Sequence, residues 1–163
     1  MSESISFTVL GLPTPKGSFT PTRNGGFRPQ GDSAKLKAWR NHVTTAARDA
    51  MGSRKPFQGA IRLSVDFSLP YPRTSIRQWQ WGWWPAVKRP DVDKLLRSIN
   101  DHLNGLAWYD DSQVCFCTVN KHYAWDDLPG AYVEVAEMDD EWLRQYAATR
   151  TLIQETLREM ADE

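Results

Sequence analysis

The chain has 163 residues, 20 Lys+Arg against 20 Asp+Glu, and two cysteines. That length fits one domain that buries a core without disulfides or a structural metal. No run approaches the roughly 20 apolar residues of a membrane helix, and no N-terminal stretch pairs a basic flank with an apolar core, so a soluble cytoplasmic protein with no membrane partner is expected.

The cysteines agree with a reducing compartment. Cys115 and Cys117 alternate along an expected strand and share one face, where an unstrained disulfide does not form. Their spacing is not a zinc signature. The zero net charge hides an asymmetry: residues 1–97 carry 16 Lys+Arg against 6 Asp+Glu, a net of +10, and residues 98–163 carry 4 against 14, a net of −10. A strongly basic front is the electrostatic footprint of a nucleic-acid binder, whereas an acidic tail suits a solubilising face or a cover for a partner's basic surface.

Residues 5–10 alternate apolar and polar and predict a strand, broken by Gly11-Leu12-Pro13-Thr14-Pro15-Lys16-Gly17. Residues 20–31 read as a loop. Asp32 or Ser33 caps the next element, and Leu36, Trp39, Val43, Ala46 and Ala47 recur at helical spacing, predicting a helix over 33–51 that Gly52 stops. Residues 60–69 alternate as Ile61, Leu63, Val65, Phe67 and Leu69, a half-buried strand.

The stretch from 70 to 85 holds Gln78-Trp79-Gln80-Trp81-Gly82-Trp83-Trp84 and predicts a loop or hairpin insertion. Its aromatics suit a base-stacking wedge or a dimer interface, with the interface preferred. Val92, Leu95, Leu96, Ile99 and Leu103 form one helical stripe over 92–103, ended by Asn104-Gly105. Residues 114–123 and 131–137 both alternate and read as an antiparallel hairpin. From Asp139 a last helix carries Trp142, Tyr146, Leu152, Leu157 and Met160 on one stripe. The expected fold is α/β (α+β), with a small mixed or antiparallel sheet of about four strands, two core helices and an extra C-terminal helix. Trp39, Trp108 and Trp125 are read as packing residues. His42, His102 and His122 are scattered and receive no role.

Four aspartates stand out: Asp91 and Asp93 at the entry of the helix over 92–103, and Asp110-Asp111 in Trp108-Tyr109-Asp110-Asp111-Ser112. Carboxylates held close together share protons or neutralise a cation, and hard oxygen ligands favour Mg²⁺ or Mn²⁺ over zinc. The basic and aromatic surroundings suit a phosphate substrate. The bland alternative is capping, which explains one aspartate rather than four. Asp93, Arg97 and Asp101 follow at four-residue spacing, which sets a cation beside the acids or forms a surface ion-pair ladder.

Residues 88–124, with Pro90-Asp91-Val92-Asp93, Leu95, Asn104-Gly105, Tyr109-Asp110-Asp111-Ser112-Gln113-Val114 and Lys121, resemble the RusA family of Holliday-junction resolvases. Pro13-Thr14-Pro15-Lys16-Gly17 is similar to the family's early motif. The resemblance implies a nuclease domain over 1–138 with an aromatic insertion near 70–87, followed by an acidic helical extension over 139–163 that it does not cover. It implies Asp91, Asp93 and Asp111 as metal ligands, with Asp110 pointing elsewhere, and a homodimer whose two sites make symmetric cuts in branched DNA.

The family commonly has lysine at the position of Arg97 and asparagine at that of Lys94. Arginine stays protonated, so Arg97 clamps phosphate or stabilises charge but is no general base; water activated by Mg²⁺, with Mn²⁺ as substitute, takes that part. Lys16, Arg23, Arg28, Lys35, Lys37, Lys88 and Arg89 are the expected phosphate contacts. Competing readings are a nuclease for flaps or forks, and a non-catalytic architectural DNA-binding protein.

Overall fold

The computed structural model describes residues 3–17, 19–21, 23, 27–29, 33–72, 84–124 and 128–161. In chain order these form β1 (Ser4–Leu10), β2 (Phe19–Pro21), β3 (Phe27–Pro29), α1 (Ala34–Met51), β4 (Ile61–Leu69), α2 (Val92–Leu103), a 3₁₀ turn (Asp111–Gln113), β5 (Val114–Tyr123), β6 (Gly130–Glu137) and α3 (Asp140–Ala161). Two layers result. A four-stranded mixed sheet of order β1-β6-β4-β5 carries α1 and α2 on one face.

Alternation decides which strand residues enter the core. Ile5, Phe7 and Val9 of β1, Ile61, Leu63, Val65 and Phe67 of β4, and Val133 and Val135 of β6 are buried beneath the helices. From α1 come Leu36, Trp39, Val43, Ala47 and Met51, and from α2 Leu95, Ile99 and Leu103. The opposite sheet face carries polar residues such as Arg62, whose guanidinium pairs with Glu134 at 2.9 Å.

The helix ends follow from their residues. The Ser33 hydroxyl accepts from Leu36 N at 3.2 Å, and Gly52, at φ 56°, closes α1. Gly105, at φ 75°, supplies the left-handed turn after α2.

Strand pairing departs from the sequence reading. Residues 114–123 and 131–137 do not form a hairpin: β5 pairs parallel with β4, and β6 lies between β1 and β4, antiparallel to both. A helix between two strands provides the crossover that a parallel pair needs, so β4, α2 and β5 form a βαβ unit and β6 takes the other edge of β4. Nor are residues 20–31 all loop, because β2 and β3 pair antiparallel within them. Residues 73–83, with most of the tryptophan run, and Trp125 lie outside the described residues, as does Asp32.

Candidate functional site

The two acidic pairs are held by different devices at opposite ends of α2. Asp91 is the N-cap residue, extended at φ −71° and ψ 139°, yet its side chain makes no capping hydrogen bond. Its carboxylate instead meets Lys94 Nζ at 2.8 Å. The Lys94 hydrogen bond and charge, then the charges of Arg89 and Lys121, hold the Asp91 carboxyl below its ordinary range. Asp93 is exposed in the first helical turn, beside the positive end of the helix dipole. Capping by side chain therefore does not account for Asp91.

The approach to Asp91 is fixed from below by Lys121, whose ammonium donates to Lys88 O at 2.9 Å and Pro90 O at 2.8 Å. The Arg89–Pro90 peptide bond is cis. Lys35, Lys88 and Arg89 converge on one cleft of about 460 Å³, walled by Leu12, Pro13, Pro15, Pro70, Pro72, Pro90 and Tyr123. Three of the expected phosphate contacts are thus gathered beside Asp91.

The others are placed differently. Lys16 N donates to Lys94 O at 3.2 Å and its ammonium pairs with Asp101, so the early Pro-Lys-Gly segment is strapped to α2. Of the three residues at four-residue spacing, Asp101 takes this cross-loop pair with Lys16, and Arg97 stands on the exposed side of α2. Lys37 and Arg23 are exposed. Arg28 falls on β3, and its side chain lies outside the described residues.

At the other end of α2, Asp110 and Asp111 part company. Asp110 Oδ1 accepts from Ser112 N at 2.8 Å, while Gln113 Oε1 accepts from Asp110 N at 2.9 Å, a reciprocal capping box. Hydrogen bonds from the Ser112 side chain and backbone lower the Asp110 pKa. Asp111 is left out of that box, and its Oδ1 accepts from Trp108 Nε1 at 3.1 Å.

Gln113 Nε2 also donates to Phe57 O and Gly59 O, both at 3.0 Å, which ties the turn to the segment before β4. Glu137 completes the tie by accepting from Gln58 N and Gly59 N. The sequence reads Trp108 as a packing residue and places Gln113 and Lys121 only among the residues of the family resemblance, so the bonds these three make at the site are not foreseen. The Asp-x-x-Gln spacing is a readable signal for the Gln113 box, whereas neither the Trp108 bond to Asp111 nor the Lys121 bonds to the backbone before Asp91 follow from local spacing.

These ends do not meet within the chain. The 12-residue α2 separates them, and β5 climbs back from the Asp111 turn to Lys121 beside Pro90, so the acidic pairs stand about 20 Å apart by helix and strand rise. Among the described residues no three His, Cys, Asp or Glu side chains are grouped to hold a metal ion. Within the chain the two acidic pairs are close along the sequence but are parted by the 12-residue helix between them.

Two comparisons bear on this arrangement. The family model described as Endodeoxyribonuclease RusA matches residues 11–136, which contain both acidic pairs and the Pro-Lys-Gly loop. The chain belongs to the RusA endodeoxyribonuclease family. It is 30% identical over 135 residues to the uncharacterized protein YqaN of Bacillus subtilis (strain 168), covering 75% of this chain and 89% of the relative. It is 34% identical over 62 residues to the crossover junction endodeoxyribonuclease rusA of Lactococcus phage r1t, covering 37% of this chain and 44% of that protein. Among the described residues no helix is long and apolar enough to cross a membrane.

Proposed function

We propose that this protein is a Mg²⁺-dependent endodeoxyribonuclease that resolves four-way DNA junctions by paired symmetric nicks, acting as a homodimer. The observation that carries the reading is the family match across 11–136, which spans both acidic motifs. One protomer cannot gather the carboxylates, so the proposed centre is composite. In the proposed dimer the two-fold axis lies perpendicular to α2, so the two copies of the helix run antiparallel, which would bring Asp91 and Asp93 of one protomer toward Asp111 of the other and generate two equivalent centres at once.

The donor set suits a hard divalent ion: Asp93 is exposed, Asp91 stays ionised beside lysine and arginine, and Asp111 has a second oxygen beyond the one held by Trp108. When bound, such an ion supplies Lewis acidity and neutralises charge at the scissile phosphate. The chain's own residues do the rest. Lys35, Lys88 and Arg89 grip phosphates along the cleft, and Arg97 adds a permanent positive charge on the same helix as the first acidic pair. Junction choice then comes from shape, with two cuts spaced by the dimer.

The test uses synthetic four-way junctions, flaps and plain duplex with the full chain and Mg²⁺. Asp91→Asn and Asp111→Asn each abolish nicking and keep junction binding, since removing a carboxylate reduces repulsion of phosphate. Mixing equal amounts of the two inactive variants makes about half of the dimers heterodimers, each with one intact centre, and restores single nicks. Persistent cutting by either variant removes these residues from the site, and a mixture that stays inactive removes the composite centre. Preferential cutting of flaps would overturn the junction assignment.

A further inference from the structure

The helix α3 lies beyond the family match, which ends at residue 136. Its first turn is fastened: Asp139 Oδ1 accepts from Trp142 N at 2.9 Å, and the rings of Trp142 and Tyr146, stacked at 5.3 Å, meet Phe116 of the edge strand β5 edge-on at 4.8 and 4.6 Å. Beyond Tyr146, among the described residues, the hydrogen bonds of the helix stay within it and no ring contact ties it to the rest of the chain. Every residue from 143 to 161 is exposed, although the helix runs 22 residues, about 33 Å. Helices in water draw most of their stability from packing an apolar face, and this one has such a face uncovered.

The spacing of that face suits a second helix. Leu143, Tyr146, Arg150, Ile153, Leu157 and Met160 follow one another at intervals of three, four, three, four and three, the heptad seam of a coiled coil rather than the broader stripe of a helix lying on a sheet. The apolar members are 39 to 68% exposed. One position breaks the seam, Arg150. In a parallel pair it would stack on Arg150 of the second copy.

In an antiparallel pair centred between Thr151 and Leu152 every layer is compatible. Leu143 meets Met160 of the second copy, Tyr146 meets its Leu157, and Arg150 lies over its Ile153, with the aliphatic stem covering the apolar side chain. Flanking positions 147, 149, 154 and 156 are Ala, Thr, Gln and Thr, so no like charges face each other there. Arg144 comes level with Glu159 of the second copy, and the helix dipoles oppose.

We infer that α3 is a self-association element that pairs antiparallel with α3 of a second copy. The occupant is this chain itself, and the contact does not depend on the reading of the aspartates.

The inference is tested on the full chain by sedimentation equilibrium, with hydrogen exchange of amides 147–161 read on the same samples. Both variants replace exposed residues, and circular dichroism checks that each stays folded. Leu157→Glu buries an unpaired carboxylate twice per pair and lowers both association and α3 protection by about tenfold or more. Ile153→Glu keeps both, because its carboxylate meets Arg150 of the second copy, and its association becomes salt-sensitive.

Where the mass is held by another interface, loss of α3 protection in Leu157→Glu alone supports the pairing. Unchanged mass and unchanged protection in Leu157→Glu overturn it. So does collapse of Ile153→Glu alongside it, which signals a parallel pair. Loss of junction binding with mass and protection intact assigns the face to DNA and likewise overturns the inference.

Discussion

Trp108 Nε1 donates to Asp111 Oδ1 at 3.1 Å, so a fully buried indole reaches out of the core to aim an exposed carboxylate. Its neighbour Asp110 is spent on capping the turn. Two adjacent acids therefore separate into one that caps the turn and one that stands outside the capping box, held by the indole.

Trp108→Phe keeps most of the core volume and removes the donor. Junction cleavage is expected to fall about tenfold, with the Mg²⁺ concentration for half-maximal rate raised, because a hydrogen bond to a charged group contributes about 1.5–3 kcal/mol to holding it in place. Asp110→Ala lowers the melting temperature through the lost cap and leaves cleavage near normal. Cleavage titrated against Mg²⁺, with thermal melts of both variants, checks the pair; the expectation fails if Asp110→Ala is the slower enzyme.

Gln113 binds the turn to the segment before β4 through both ends of its amide. Gln113→Ala leaves two carbonyls and two amides without this partner and is expected to cost about 1–3 kcal/mol. At about 2–4 °C per kcal/mol for a chain of this size, a melting shift of several degrees is the readout. A melt within a degree of wild type would show that water replaces the amide at no cost.

The sequence made faces legible and left neighbours hidden. Leu36, Trp39, Val43 and Ala47 on α1, and Leu95, Ile99 and Leu103 on α2, are buried as their spacing predicts, because helical period alone selects them. Alternation in residues 114–123 and 131–137 selected strand faces equally well, but it carries no information about which edge each strand joins. The insertion of β6 between β1 and β4 was therefore invisible. The candidate site divides the same way. Chain spacing marked both acidic pairs and the family resemblance implied the preference for Asp111 over Asp110, whereas the rise of α2 that parts the pairs appears only in three dimensions.

Lys94 stands where the resemblance expects asparagine, and its ammonium occupies the Asp91 carboxylate at 2.8 Å. A divalent ion at Asp91 has to compete with that fixed cation. Lys94→Asn is accordingly expected to lower the Mg²⁺ concentration for half-maximal cleavage several-fold while leaving the saturated rate within about twofold. Lys94→Arg, which keeps the charge, should not. Titrations giving the same midpoint for all three proteins would show that Lys94 and the ion do not contend for one carboxylate.

His102 sets a pH dependence of stability apart from the acidic sites. It is buried on α2, and its Nε2 accepts from Arg40 Nε at 3.3 Å, a bond that only the neutral imidazole can make at that nitrogen. Burial first and the Arg40 charge second lower its pKa from the ordinary 6.5, Lys16 adding to the effect and Asp101 opposing it. The unfolded chain binds a proton near pH 6.5 that the folded chain refuses, so this contribution is complete above that pH and is lost as pH falls through the folded value. Urea melts between pH 7.5 and 5, where most carboxylates remain ionised, should show a midpoint that declines on the acid side. His102→Leu should flatten that decline even if it lowers the midpoint throughout. An equally steep acid-side fall in the variant would assign the titration to another group.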